Sequence, residues 1–185
     1  MLLVEPSETY LDGYMGALKL GWSPGDEVMR LADMQKINSD PKTFLRLKAD
    51  NRHAEGPPVT LPDGSLVERL PGLTRWLWDG EFCGSINLRW PREGYAMPPQ
   101  VRGNVGYAVV PWKRKRGYAT VALRQLLPIA RDEKLPHLDF VIEVSNTPSK
   151  KVVERNGALL IEYFQKIVDS GRIIDCALYR LILTK

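Results

Sequence analysis

Cysteine and histidine are scarce, with two of each in 185 residues. Cys83 and Cys176 lie far apart and match no metal-ligand spacing, and neither His53 nor His137 has a partner at such spacing. No metal centre is therefore expected, and both histidines read as surface or loop residues. Both cysteines stand in apolar, strand-like surroundings and read as buried thiols rather than a disulfide. Long apolar runs are missing too: none approaches the ~18 residues that a membrane span needs. The opening Met1-Leu2-Leu3-Val4-Glu5-Pro6 has no basic segment and too short an apolar run for a secretory signal. These absences predict a protein of the reducing cytoplasm with no membrane partner. Internal repeats and low-complexity segments are also absent.

What is present suits one soluble domain with a sizeable core: 44% hydrophobic and 26% charged residues. The net charge of +4 and a pI near 9.1 are only mildly basic. Part of the excess is one cluster, Lys113 to Arg116, so a single anionic ligand accounts for it. Nucleic acid is the rival partner. It is disfavoured because the cations form one short patch with no aromatic platform.

The chain opens with a short strand over 1–5 and a helix over Ser7–Leu20, stopped by Gly21-Trp22-Ser23-Pro24-Gly25. Asp26–Ala49 reads as helical, interrupted at Asn38-Ser39-Asp40-Pro41, where Asp40 caps and Pro41 takes the first helical position. Arg52–Gly72 is a polar loop with one short strand. A meander follows: strand 73–78, a tight Asp79-Gly80 turn, and strand 81–90. After the loop 91–102 come a strand over 104–110 and a helix over 118–134, whose Pro128 predicts a kink or an early stop. Strand 138–144, a helix over 146–156 ended by Gly157, and a hairpin of 159–168 and 172–183 across Asp169-Ser170-Gly171 complete the order. The fold class is α/β (α+β): a mixed sheet with one parallel crossover.

The densest chemistry lies at Val109-Val110-Pro111-Trp112-Lys113-Arg114-Lys115-Arg116-Gly117-Tyr118-Ala119-Thr120. An apolar strand enters a basic, glycine-bearing turn that opens a helix. Helix N-termini carry unpaired N–H groups and favour negative charge, so the run reads as a phosphate cradle. It has neither the Walker spacing nor Gly-x-Gly-x-x-Gly. Trp112 either stacks on an arginine or lines the mouth of the cradle.

Arg114-Lys115-Arg116-Gly117-Tyr118-Ala119 resembles the Gln/Arg-x-x-Gly-x-Gly/Ala pyrophosphate motif of the GNAT superfamily, the acetyl-coenzyme A-dependent N-acetyltransferases. The preceding Gly106-Tyr107…Pro111 strand end and the following amphipathic helix fit the same family. One crossover later, Asn146-x-x-Ser149…Glu154-Arg155-Asn156-Gly157 is similar to its Asn-x-x-Ser/Ala…Lys/Arg-x-Gly segment. The likeness covers most of the chain, is strongest from about Arg75 to Gly157, and is nearest in wording to a bacterial group of acetyltransferases.

The resemblance implies a mostly antiparallel sheet with one splayed parallel strand pair, flanked by helices. It divides a single 1–185 domain into substrate-side helices and loop (1–72), a coenzyme-binding core (73–157) and a C-terminal hairpin (158–185). It implies acetyl-coenzyme A as co-substrate, with the pantetheine arm paired to backbone near Val109 and Val110. The diphosphate is expected on the N–H groups from Arg114 through Lys115, Arg116, Gly117, Tyr118 and Ala119 to Thr120. Asn146 and Ser149 are expected to hold the pantetheine amide. Both are also ordinary helix-start residues.

The reaction implied is direct attack of an amine on the thioester, the oxyanion being met by a backbone N–H near Val110. No cysteine nucleophile is required. Two positions depart from the family pattern. The general-acid tyrosine expected seven residues after Asn146 is Val153, and a carboxylate expected before Gly106-Tyr107 is Asn104. The candidate proton carriers are then Glu143 and Tyr107, with Glu81, Ser145, Tyr163 or a water chain behind them. Apolar neighbours are expected to raise the Glu143 pKa by burial. The acceptor is either a small-molecule amine or a protein or peptide amine, recognised by the N-terminal helices and the loops 52–72 and 91–102. A catalytically weak coenzyme-binding sensor is the alternative. Edge strands of the terminal hairpin leave a homodimer possible.

Overall fold

The computed structural model describes residues 1–60, 64–98, 101–168 and 171–183. Asp169 and Ser170 of the last turn, and parts of the loops 52–72 and 91–102, lie outside the described residues. In chain order the elements are β1 (Leu2–Val4), α1 (Glu8–Lys19), α2 (Glu27–Ser39), α3 (Pro41–Ala49), β2 (Asp50–Asn51), β3 (Val59–Thr60), β4 (Leu66–Val67), β5 (Gly72–Trp78), β6 (Phe82–Arg89) and β7 (Val105–Val109). There follow α4 (Tyr118–Asp132), β8 (His137–Glu143), α5 (Thr147–Glu154), β9 (Leu159–Ile167) and β10 (Ile173–Ile182).

Local signals act as their chemistry requires. Asp26 accepts from Met29 N–H at 2.7 Å and Asp40 from Thr43 N–H at 3.0 Å, capping α2 and α3. Pro41 and Pro148 occupy first turns, where no N–H partner is lost. Pro128 does not end its helix early: α4 continues to Asp132, with Pro128 on its exposed side. Val28 and Met29, apolar positions of α2, are exposed, and Asp33 and Ile37 are the buried residues of that helix.

The strands form two main sheets. One has the order β1-β5-β6-β7, with β2 also on β5, and the other the order β8-β10-β9; every ladder among the described residues is antiparallel. β7 and β8, joined by the α4 crossover, are the expected parallel pair, and they share no ladder. They touch at their starting ends through Asn104. Its N–H donates to Asp139 O at 2.8 Å, and its Oδ1 accepts from Asp139 N–H at 2.9 Å. On its other side Asn104 O accepts from Arg89 N–H at 2.9 Å and its Nδ2 donates to Arg89 O at 3.1 Å. One buried residue therefore pins both sheets, and beyond it the two strands part.

Alternation along the strands splits the core in two. Leu73 and Leu77 of β5, with Leu138, Phe140 and Ile142 of β8 and Ala177, Tyr179 and Leu181 of β10, pack on Ala122, Leu123 and Leu126 of α4. On the other face of β5 and β6, Trp76 and Phe82 meet Tyr14 of α1 and Phe44 of α3. Tyr14 stacks on Trp76 with ring centroids 4.6 Å apart. Its hydroxyl donates at 2.6 Å to buried Asp33, which Lys48 also meets at 2.6 Å. Burial first, and Asp33 second, push the Tyr14 hydroxyl far above its ordinary pKa.

The Asn104 amide must donate on one side and accept on the other, and a carboxylate cannot do both. Asn104→Asp is expected to cost about 1–3 kcal/mol of stability, because it strands the Arg89 carbonyl. Urea denaturation of the purified variant checks this, and an unchanged midpoint would remove the clamp from the argument.

Candidate functional site

Strand parity decides which backbone groups face the gap between β7 and β8. Val110 N–H donates to Cys83 O at 3.0 Å, so Val110 pairs with β6, and by alternation Ala108 and Gly106 do the same. Val109, Tyr107 and Val105 therefore turn their N–H and C=O away from β6, towards the gap. Across it, Val144 N–H donates to Asp175 O, which by the same parity leaves Val141 and Glu143 facing β7. The N–H expected near Val110 is not that of Val110 itself, which the sheet uses and whose side chain is fully buried. Val109 and Tyr107 carry the open edge instead.

The strand feeds a 3-10 turn (Pro111–Lys113), an exposed loop through Arg114, Lys115 and Arg116, and then α4. Lys115 and Gly117 are left-handed, at φ 62° and 75°. Nothing lies within 4 Å of a Cβ built at Gly117, so glycine is needed there for its backbone angle, and the space outside it is open. Val121 is the first residue of α4 whose N–H is taken, by Gly117 O at 3.1 Å. The N–H groups of Tyr118, Ala119 and Thr120 precede it at the helix end, beside exposed Arg114, Lys115 and Arg116. Arg114 Nε also donates to Val109 O at 3.2 Å, tying the cradle to the open edge of β7.

Lys113 does not belong to this cationic group. It is buried and ion-paired to Asp79 at 3.0 Å and to Glu81 at 2.8 Å. Glu81, a candidate proton carrier from sequence, is thereby committed to Lys113. Asp79 does more than turn the β5–β6 hairpin: it accepts from Lys113 Nζ with both oxygens and from the Tyr118 hydroxyl at 2.5 Å. It thus holds both ends of the 113–118 segment. The Tyr118 hydrogen bond foremost, and Lys113 next, keep the Asp79 carboxyl well below the usual carboxylate range. Nothing in the sequence distinguishes this role from that of an ordinary Asp-Gly turn.

The remaining candidates separate. The Tyr107 hydroxyl lies 2.8 Å from Ser149 Oγ and 3.2 Å from Ser149 O, bridging β7 to the first turn of α5. Burial pushes that hydroxyl above its ordinary pKa, and the Ser149 hydrogen bond only partly opposes the shift. Asn146 Oδ1 accepts from Ser149 N–H at 3.1 Å, capping α5, so Tyr107, Ser149 and Asn146 form one connected group. Glu143, the last residue of β8, is exposed, and the burial expected of it does not occur. Tyr163 is exposed on β9. Val153 is fully buried in the core against α4 and β8, which leaves no room for a tyrosine there. Cys83 and Cys176 are free and buried, and burial lifts the Cys83 thiol to about 11.

A cavity of about 580 Å³ opens beside the Asn104 clamp. Asp139, Leu178 and Arg180 line it from the sheet face opposite α4, and Met97, Pro98 and Arg102 of the 91–102 loop form its outer wall. Asp139 is gripped by Arg180 at 2.7 and 2.8 Å. Among the described residues of the three segments expected to recognise an acceptor, only those of the 91–102 loop line this cavity. Helices α1 and α3 pack instead over β5 and β6.

Residues 26–159 match the acetyltransferase (GNAT) domain. Among solved structures, microcin C7 self-immunity acetyltransferase MccE, in complex with acetyl-CoA and AMP, superposes with a TM-score of 0.62 at 14% identity, over 97% of this chain and 91% of that one. The acetyl transferase from Salmonella typhimurium that modifies the N-terminal serine of 50S ribosomal subunit protein L7/L12 gives 0.60 at 13% identity, over 98% and 94%. At these identities both speak for the fold alone. The structure of a "Probable acetyltransferase" is 28% identical with a TM-score of 0.48; the match covers 60% of this chain and 62% of that one, so the chain spans about three fifths of its length. No curated protein matches the sequence.

Because its folded pKa is depressed, Asp79 contributes stability in full above the unfolded value of about 4 and loses it as the pH falls towards the folded value. Asp79→Asn is expected to cost about 1–3 kcal/mol at neutral pH. The gap to the wild type should close under acid. Thermal melts of the two proteins from neutral pH downwards check this, and a gap independent of pH would refute the assignment.

Proposed function

The chain belongs to the GNAT acetyltransferase family, and on that premise we propose that it is an acetyl-coenzyme A-dependent N-acetyltransferase acting on a primary amine by direct attack in a ternary complex. The observation that carries the reading is the unladdered gap between β7 and β8, which runs into the exposed N–H cradle at the start of α4. The residues fit the coenzyme. The open edge of Val109 and Tyr107 can pair with an amide-bearing arm as an added strand. The α4 N-terminus, with Arg114, Lys115 and Arg116, suits a diphosphate. Asn146 and Ser149 stand at the far wall of the gap. The chain divides on this reading into an N-terminal part (1–72), the coenzyme core (73–157) and the hairpin (158–185). The acceptor, a small-molecule or a protein amine, enters where Val109 and Glu143 end the two strands.

When bound, acetyl-coenzyme A supplies an activated thioester: its acyl carbon gains a bond to the amine nitrogen and loses the one to sulfur. The Val109 N–H, turned into the gap, replaces Val110 as the donor for developing oxygen charge. Exposed Glu143, at the mouth of the gap, accepts the proton that the attacking nitrogen must lose. The Tyr107 hydroxyl, kept protonated by burial and oriented by Ser149, returns one to the sulfur. Free, buried thiols suit a reducing cytoplasm, and among the described residues no helix is long and apolar enough to cross a membrane.

A coenzyme-binding sensor with little turnover is the second reading. It is favoured by the burial of Val153 and by the structural commitment of Asn104, which leave both usual proton-carrier positions unfilled. Release of free thiol with any amine from a panel selects the enzyme, and coenzyme binding without release selects the sensor.

Gly117→Glu forces a side chain into a left-handed position and an anion into the cradle. Coenzyme affinity should fall by at least roughly tenfold, equivalent to about 1.4 kcal/mol, while the fold is kept. Calorimetric titration with acetyl-coenzyme A checks this, and unchanged affinity would refute the cradle. Glu143→Gln should lower turnover by about 10²-fold or more and leave coenzyme affinity intact. A retained pH–rate profile would remove Glu143 as the base.

A further inference from the structure

β9 is an outer strand, and the way its free edge is furnished is specific. In the ladder to β10 the hydrogen-bonded positions include Val168, whose N–H donates to Arg172 O at 3.0 Å. Alternation then assigns Lys166, Phe164 and Glu162 to β10, and turns the N–H and C=O of Tyr163, Gln165 and Ile167 outward. An edge of this kind is usually blunted by charge, proline or a covering loop. Here Tyr163 is 65% and Ile167 63% exposed, and Ile173, paired with Ile167 on β10, is 59% exposed. No described residue covers them.

We propose that β9 is the interface to a second copy of this chain, the two β9 strands running antiparallel about a two-fold axis through Phe164. Outward groups must meet outward groups, so the two-fold axis passes through a residue, and 163, 164 and 165 are the choices nearest the middle of the strand. Centring on 163 sets Glu162 against Phe164, and centring on 165 sets Lys166 against Phe164. Only the register centred on 164 sets Glu162 opposite Lys166, and two-fold symmetry makes that pair twice. It also sets Tyr163 against Gln165 as hydrogen-bonding partners, within the regular part of β9 that follows the bulge at Ile161. The charged pairs then fall at non-hydrogen-bonded positions, where cross-strand side chains are nearest. Arg102 engages Oε1 of Glu162 and leaves the other oxygen free, and Lys166 has no ion pair among the described residues. The charge pattern is thus complementary to itself, which selects a second copy over an unrelated strand.

The consequence reaches the cavity beside Asn104. Glu162 lines the cavity beside Asn104, so this register brings Lys166 of the second copy to its rim. The cavity is then completed by the dimer.

Sedimentation equilibrium of the full chain over a dilution series tests the proposal, with Lys166→Glu and Glu162→Lys as charge variants. The wild type should dimerise. Each variant alone should dissociate roughly tenfold more readily, since two attractive pairs become two repulsive ones. Mixing the two variants should restore the wild-type affinity, because each then supplies the charge the other needs. Tyr163→Pro, which removes an outward N–H without touching the β10 ladder, should also weaken the dimer. A wild type that stays monomeric overturns the proposal, as does a dimer that none of the variants weakens. A mixture no tighter than its components overturns the register.

Discussion

Asn104 is the hinge on which the architecture turns. β7 and β8 begin side by side because one amide and its backbone satisfy Arg89 on one sheet and Asp139 on the other. A continued parallel ladder would have consumed the edges of both strands. Stopping the pairing after one residue turns the N–H and C=O of Tyr107 and Val141 and the N–H of Val109 and Glu143 into the gap, while the carbonyls of Val109 and Glu143 accept from Arg114 Nε and Asn146 N–H. Backbone groups left unpaired in a protein interior are costly, so such a gap is stable only where water or a ligand can satisfy them. The clamp therefore creates an opening with chemical demand, and places it where β7 hands over to the cradle.

The cradle itself depends on charge being sorted. Four consecutive cations would repel one another and compete for a single anion. The structure removes one: Asp79 and Glu81 neutralise Lys113 and bury it beneath the turn. Asp79 also holds Tyr118, so the segment between is fastened at both ends while Arg114, Lys115 and Arg116 stay in solvent. Left-handed Lys115 and Gly117 shape what lies between these anchors. The same economy operates at Asn146 and Ser149. Their capping contact is structural, yet it orients the serine that meets the Tyr107 hydroxyl.

Two positions that departed from the family pattern in sequence have physical causes in three dimensions. Asn104 must donate and accept at once, which a carboxylate cannot do. Val153 faces the interior of the core, where a tyrosine hydroxyl would be buried without a partner. On the reading proposed above, proton transfer falls to groups that other elements bring to the gap, Tyr107 through Ser149 and exposed Glu143.

Much of this was written into the chain in a local code. Asp26, Asp40 and Asn146 cap helices by their own side chains, Pro41 and Pro148 sit where an N–H is not needed, and period-two alternation marks β8. These are interactions between near neighbours, so the order of elements and the basic turn before α4 could be read directly. Pairing parity is different, because it depends on which residues of two distant strands meet. That is why Val110, apolar and next to the cradle, looked available when Cys83 had already claimed its N–H. It is also why Lys113 looked like part of the ligand's charge while Asp79, more than thirty residues upstream, had taken it. The sequence by itself determined the elements, their caps and the location of the basic turn before α4. Only the tertiary structure decided which backbone edges remain open and which charges remain free, because both are settled by contacts between residues far apart in the chain.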